Sequence, residues 1–461
     1  MGSILRTFSV QRIAIIGAGP SGLAAAKYLR AENAFSKIVI YEQQSEVGGV
    51  WNYTPNIAGK TIAPQTTPNG PLDEPIWPKG ASVPLFSNPM YDHLNTNIPK
   101  DLMRFSDSSF LDNSLLFPSR EDVQEYLVRY SQDVRGLISF STQVQDVKPV
   151  LEDGTERWNL TSKSMVTNKE YTSQYDAVVV ASGHYTVPFI PSVPGMEEFH
   201  ATYPSVIIHS KSYRAPQPYK NKKVIVVGSG ASGLDIGNQI SQLCQKPLLN
   251  SLHTPSAFKL GEENKEQVGA IVEFLVQDRS VRFTDGRVEK NIDAIIYCTG
   301  FLYSYPFLKS VDPPVVVTGQ RVLGTYKHLF SISHPTLAFT ALPMGIIPFP
   351  LSEAQAAIMA KVWGNKVELP TAEEMEKWEQ ETLREMGDGK QFHAFGCPKD
   401  GRYINELHEW TKTSVDGFAK EPPYWATKEW GIREKYVEIR QKFVESDGKA
   451  KSLAELGFDF E

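Results

Sequence analysis

Cysteine is scarce in this chain of 461 residues: Cys244, Cys298 and Cys397 are its three, far apart and without a C-x-x-C pair. A sparse, odd count excludes a disulfide framework and a dithiol redox centre, and it points to a reducing compartment. No run of about 20 apolar residues occurs, which excludes a helix spanning a membrane. The apolar run Ile13–Ile16 breaks at once into glycines, with no charged n-region or cleavage site around it, so no signal peptide is expected. There is no basic stripe either: Lys and Arg number 47 against 53 Asp and Glu, a net charge of −6, which argues against a nucleic-acid partner. His, Cys and acidic residues nowhere fall at metal-ligand spacing. A soluble, cytoplasmic protein with no metal is the expectation.

What is present is ordinary globular composition, 41% hydrophobic and 22% charged, at a length suited to two or three domains. Residues 11–42 alternate strand, glycine turn, helix and strand: RIAIIGAGPSGLAAAKYLR, then KIVIYE. Continuous apolar runs of this kind fit parallel strands covered on both faces. Residues 52–100, rich in Pro, Gly and Asn, predict an irregular excursion, and residues 120–134 predict a helix. Residues 155–185 predict a short β-hairpin ending in the buried strand of YDAVVVASG.

Residues 222–240 (KKVIVVGSGASGLDIGNQI) repeat the opening unit, and residues 279–300 repeat the hairpin and strand. The chain therefore has two similar halves. Beyond residue 300 come further strands (TLAFTAL), a Pro-rich turn (IIPFP), a helix from about Ser352, and a charged, largely helical tail from 370.

Gly17, Gly19 and Gly22 form a G-x-G-x-x-G that follows a strand and opens a helix. The first glycine makes the tight turn, the second admits a pyrophosphate against the backbone, and the third packs helix on strand. Glu42, ending the next strand, is placed to accept from a ribose diol. A plain tight turn is the alternative for the glycines alone. Gly48 and Gly49, just before Trp51, would let backbone approach a flavin, or form an ordinary turn.

Gly228, Gly230 and Gly233 repeat the fingerprint, with no acid at the end of the following strand. Ser251, His253 and Lys259 stand there instead. Loss of the acid favours a 2′-phosphate and so NADPH over NADH; the alternative is that the three are surface loop residues.

Several segments together resemble the flavin-containing monooxygenases, class B flavoprotein oxygenases, and within them the soluble fungal or yeast-type branch. EQQSEVGGVWNY (42–53) is similar to their E-x-x-x-x-x-GG-x-W segment, and YDHLNTNIPKDLM (91–103) to their L-x-TN-x-P-K-x-x-M segment. Their pattern F-x-G-x-x-x-H-x-x-x-F/Y is matched by His209 and Tyr213, with Tyr203 in place of Phe and Ser205 in place of Gly. DAIIYCTGFLYSYPF (293–307) and FPLSEAQAA (349–357) resemble two later segments, in the family's order, so the likeness runs from about residue 10 to 445.

The resemblance implies an α/β fold with two Rossmann-like domains, a larger FAD domain and a smaller NADP domain inserted in it. The expected bounds are 1–190 and 301–461 for the former and 191–300 for the latter. It implies an NADPH- and O2-dependent enzyme of the N,N-dimethylaniline monooxygenase type that oxygenates a soft nitrogen or sulfur of a small molecule through a flavin C4a-hydroperoxide. FAD and NADPH (NADP+) are the cofactors it implies, and a homodimer the assembly. Asn97 takes the catalytic position: an uncharged amide donates and accepts hydrogen bonds without protonating the reactive oxygen. His209 is expected as a linker residue that helps position NADP+. Ser182 and Thr299, each before a glycine, are expected to shape backbone near the cofactors, Gln355 to hydrogen-bond near flavin or nicotinamide, and Cys298 to be buried packing.

Related chemistries fit less well. A Baeyer–Villiger oxygenase shares the fingerprints, but its histidine pattern ends in Trp where this chain has Tyr213-Arg214. An amino-acid N-hydroxylase is a second rival. A flavoprotein without oxygenase activity leaves the second nucleotide site without purpose.

Overall fold

The computed structural model describes residues 7–55, 61–68, 70–253 and 264–460. Strand Arg12–Ile16 is short, β-branched and almost wholly buried, as a central parallel strand must be. Helix Pro20–Glu32 follows immediately. Pro20 sits in its first turn, where a missing N–H costs nothing, and Asn33 ends it in the left-handed region at φ 53°. Strand Lys37–Tyr41 returns parallel to the first.

These strands lie in a seven-stranded sheet whose order places Ala177–Val180 beside Arg12–Ile16, and Leu337–Phe339 beside Ala177–Val180. In register, Ile16 pairs with both Tyr41 and Val180, and Val180 with Phe339. The four parallel strands thus end along one edge, although they come from both ends of the chain.

A second, five-stranded sheet runs Lys265–Val268, Leu248–Ser251, Val224–Val227, Ala294–Tyr297, Ile207–His209, all parallel. Val227 pairs with Ser251 and Tyr297, and Tyr297 with His209, so this sheet also ends along one edge. Each sheet has its own buried clusters. Two short segments, Val187–Pro188 and Phe301–Leu302, pair antiparallel where the chain passes from one sheet to the other and back.

Two details depart from the sequence reading. The hairpin expected in 155–185 is a three-stranded meander, because Thr142–Glu152 is a strand as well. Pro149 and a register shift between Val144 and Asp146 interrupt its alternation and hid it. The helix expected from Ser352 starts at Pro348, so Pro348–Pro350 form its first turn and not a separate Pro-rich turn. Prolines there give up only N–H groups that have no helical partner anyway. The tail forms helices Ala372–Met386, Lys399–Lys412, Thr427–Glu434 and Tyr436–Glu445. No helix among the described residues is long and apolar enough to cross a membrane.

Helix Pro348–Trp363 is buried on nearly every face and packs against helix Pro20–Glu32. Lys361 is inside that contact, its Nζ 3.1 Å from Glu32, which Lys366 also reaches at 2.8 Å. Removing one partner of a buried pair leaves the other charge without water or counter-ion. Glu32→Gln is therefore expected to lower unfolding stability by about 3–5 kcal/mol, measured by urea denaturation, with much of it regained in Glu32→Gln/Lys361→Met. A single variant as stable as the parent would sink that assignment.

Candidate active site

The first glycine turn is built from contacts only glycine permits. Gly17 has φ +105°, and a Cβ on it would meet the Ala181 carbonyl oxygen at 2.6 Å. A Cβ on Gly22 would meet the Gly17 oxygen at 1.9 Å, which is the close helix–strand approach the third glycine allows. Gly19 differs. It caps the helix in extended conformation, and a Cβ there would meet nothing closer than Gly49 Cα at 3.5 Å. The Gly48–Gly49 turn is thus laid across Gly19, tied by Gly48 N–H to the Ala18 carbonyl at 3.0 Å, and Trp51 follows half-buried. What results is a side-chain-free cradle at a helix N-terminus, where unpaired amides and the helix dipole favour an anion.

Glu42 closes this cradle. It is buried and accepts from Ala18 N at 2.7 Å and Gln44 N at 2.9 Å. Burial pushes its carboxyl up to about 7, against the opposing pull of those amides. Gln124 was missed in the sequence. Its Nε2 donates to Val47 O at 2.7 Å, and its side chain occupies the space where a Cβ of Gly48 would sit. That prop reaches across from helix Arg120–Tyr130, and no local pattern announces it.

The second turn repeats the first at its first and third glycines. Gly228 has φ +110°, with a Cβ contact to the Cys298 carbonyl oxygen at 2.8 Å; a Cβ on Gly233 would meet Gly228 O at 2.2 Å; one on Gly230 would meet no described atom within 4 Å. Cys298 stands where Ala181 stands in the first half. It is buried, which pushes its thiol up to about 12 and leaves it as packing.

Ser251 and His253 do end the adjacent strand region, but in different states. The buried Ser251 hydroxyl donates to Gly269 O at 2.9 Å, so its expected contact with a nucleotide is not made by a free side chain. His253 is exposed. Lys259 lies outside the described residues.

His209 is only 1% exposed, and both ring nitrogens are engaged: Nε2 donates to Gly300 O at 2.9 Å and Nδ1 accepts from Lys211 N at 3.1 Å. That network sets the neutral tautomer, and burial pulls the ring down to about 4. The side chain therefore ties the second sheet to the returning linker at Gly300. Thr299 does similar work, its hydroxyl donating to the Phe189 carbonyl of the outgoing linker.

Gln355, expected near flavin or nicotinamide, has its amide taken up by protein groups. It is fully buried inside helix Pro348–Trp363, accepts from Ala341 N at 2.7 Å, and donates to His328 O and Tyr403 OH at 3.3 and 3.0 Å. With acceptor and donors engaged by protein, it holds the loop after strand Leu337–Phe339.

Asn97 lies in an exposed turn, and no described residue hydrogen-bonds its amide. The turn itself is firmly held: Thr96 N donates to Pro118 O at 2.9 Å, and Lys100 N to Leu116 O at 2.8 Å. His184 also escaped the sequence reading, although it directly follows Ser182-Gly183 at the end of strand Ala177–Val180. Its buried Nε2 lacks a partner among the described residues, and its ring packs on Tyr185 and Tyr303 at 4.5 and 4.9 Å.

Comparison with known proteins bears on this geometry. The family model described as flavin-binding monooxygenase-like matches residues 86–258 and 266–413, and that of an NAD(P)-binding Rossmann-like domain matches residues 15–62. A thiol-specific monooxygenase of Saccharomyces cerevisiae is 36% identical over 87% of this chain and 85% of its own length. A flavin-containing monooxygenase FMO GS-OX-like 2 of Arabidopsis thaliana is 32% identical over 95% of this chain and 90% of its own. Among solved structures, S-allyl-L-cysteine S-oxygenase from Allium sativum superposes with a TM-score of 0.78 at 27% identity, covering 98% of this chain and 97% of that one.

Proposed function

The chain belongs to the flavin-binding monooxygenase-like family, oxidoreductases that use FAD and NADPH, and from that premise we propose that it transfers one atom of O2 to a soft nucleophile of a small molecule, sulfur in preference to nitrogen. For a thioether the reaction balances as thioether, O2, NADPH and H+ giving sulfoxide, NADP+ and water. The observation that carries this reading is the pair of matching glycine cradles, one at the C-terminal edge of each sheet. Both edges run directly into the paired linkers Val187–Pro188 and Phe301–Leu302, so two dinucleotides would meet across one crevice.

The residues present fit both groups. Gly19, Gly22 and Gly49 leave backbone alone against an FAD diphosphate, Glu42 stands at the adjoining ribose, and Trp51 flanks the turn. Gly228, Gly230 and Gly233 offer the same surface to the nicotinamide nucleotide, and the missing acid with exposed His253 suits a 2′-phosphate. Bound flavin, reduced by the nicotinamide, supplies the activation of O2. The chain's own part is to orient the two nucleotides, exclude water and hold Asn97 where its unpaired amide meets the reacting oxygen. Preference for sulfur rests on the relatives, one named for thiols and one for a cysteine thioether.

The purified protein should consume NADPH with S-allyl-L-cysteine or cysteine and return oxygenated sulfur in near-stoichiometric yield, with N,N-dimethylaniline a poorer acceptor. Peroxide as the only product with every probe would overturn the proposal.

The buried carboxyl of Glu42 adds a pH dependence. Ionised, it accepts from a ribose diol; protonated, it loses acceptor capacity. With the group at about 7 before the nucleotide binds, FAD affinity is expected to strengthen as pH rises through 7 and to weaken below it, by at most tenfold per pH unit. Flavin titrations of apoprotein between pH 6 and 8.5 check this. Glu42→Gln should flatten the profile; an equally steep profile in that variant would remove Glu42 from the site.

A further inference from the structure

Tyr91 belongs to the excursion that also carries Asn97, yet its ring is buried among residues of the second sheet's core: Tyr213, Val224, Ile236 and Cys298. It meets Tyr213 edge-on at 5.2 Å. Its hydroxyl donates to Asp235 Oδ2 at 2.5 Å. Asp235 lies on helix Ala231–Ser241, the helix opened by the second glycine fingerprint. Gln239, one turn on, donates to the same carboxylate oxygen at 3.1 Å and accepts from Tyr213 OH at 3.0 Å. One end of the segment is thereby locked into the nicotinamide-side unit.

The other end is fixed to the flavin-side unit. Besides the bonds from Thr96 and Lys100, Arg440 of the last helix donates to Thr96 O at 3.2 Å and packs over the Phe117 ring at 4.7 Å. Arg440 and Asp235 also attract one another. The chain from Tyr91 to Thr96 is thus a short strap joining the two units, and Asn97 is the next residue.

We propose that Tyr91, through its hydrogen bond to Asp235, is a positioning residue that sets Asn97 according to where the second nucleotide's helix sits. The inference rests on the oxygenase reading above and on Asn97 acting at the reacting oxygen. Seating of the nicotinamide nucleotide on helix Ala231–Ser241 places Tyr91, and the strap carries that placement to Asn97. A loose strap would leave flavin reduction intact and cost only the efficiency of oxygen transfer.

The test compares Tyr91→Phe, Asp235→Ala and Asp235→Asn holoenzymes with S-allyl-L-cysteine, following flavin reduction by NADPH and the fraction of NADPH electrons released as peroxide. In Tyr91→Phe and Asp235→Ala, reduction should stay within about twofold of the parent while the peroxide fraction rises about five- to tenfold. Asp235→Asn retains an acceptor for the Tyr91 hydroxyl and should stay close to the parent. Tyr91→Phe added to Asn97→Ala should raise leakage no further, because Tyr91 acts through Asn97. Unchanged leakage in Tyr91→Phe, additive leakage in the double variant, or a slowed reduction step overturns the proposal. If Tyr91→Phe fails to fold, Asp235→Ala against Asp235→Asn decides it alone. A parent enzyme releasing only peroxide would refute the oxygenase reading itself, an outcome distinct from a coupled parent with a coupled Tyr91→Phe.

Discussion

Gly19→Ala is expected to purify colourless, with FAD affinity at least a hundredfold weaker, about 2.7 kcal/mol, and with the apoprotein's thermal stability unchanged. The three glycines of the turn separate into two kinds on geometry. A Cβ at Gly17 or Gly22 strikes backbone oxygen at 2.6 or 1.9 Å and breaks the turn itself. Among the described residues a Cβ at Gly19 meets only Gly49, its Cα at 3.5 Å and its N at 3.8 Å, ordinary contacts, at a φ of −74° that any residue adopts. The folded chain thus tolerates alanine there, and the added methyl occupies the face that a diphosphate must approach.

The second turn supplies the matched control. No described atom lies within 4 Å of a Cβ on Gly230, so Gly230→Ala should stay yellow while its KM for NADPH rises about tenfold or more, roughly 1.4 kcal/mol. Flavin absorbance after gel filtration and NADPH titration read the two outcomes. A yellow Gly19→Ala, or a Gly230→Ala that loses flavin and keeps its NADPH affinity, would show that the cradles are wrongly assigned.

The contrast between these turns and the rest of the site explains what sequence can carry. The cradles are legible because their requirements are local: a positive φ at Gly17 and Gly228 and a helix pressed on a strand at Gly22 and Gly233 admit one residue type at fixed spacing. The parallel strands are legible for a similar reason, since burial on both faces demands an unbroken apolar run. Strand Thr142–Glu152 has one covered edge, a bulge and a proline, and its pattern dissolves.

Side-chain roles that depend on distant partners are not legible. Gln355 sits within the family-like segment 349–357, yet its hydrogen bonds go to residues 341, 328 and 403. Ser251 ends the right strand, but Gly269 takes its hydroxyl. Tyr91 and Asp235 are separated by 144 positions, and only the folded chain brings them together. Glu42 shows both sides: its place at the strand end is readable, whereas its raised acidity comes from burial that only the packed fold produces.

Asn97→Ala should keep its flavin and be reduced by NADPH at a rate close to the parent's, yet lose roughly 10- to 100-fold in oxygenated product per NADPH, the balance appearing as peroxide. A hydrogen bond to a charged partner contributes about 1.5–3 kcal/mol, and every 1.4 kcal/mol is a factor of ten, which sets that range. The side chain is suited to the task by what surrounds it. Its turn is pinned at Thr96 and Lys100, so the backbone keeps its place when the amide is removed. The amide itself has no described protein partner, so nothing else is disturbed. Asn97→Asp separates geometry from charge: it preserves shape but brings a carboxylate against an electron-rich oxygen, and should couple no better than alanine. Asn97→Ser, a shorter donor, should recover part of the yield. Loss of flavin reduction in Asn97→Ala would move the residue to the hydride-transfer step, and full coupling in that variant would remove it from the chemistry altogether.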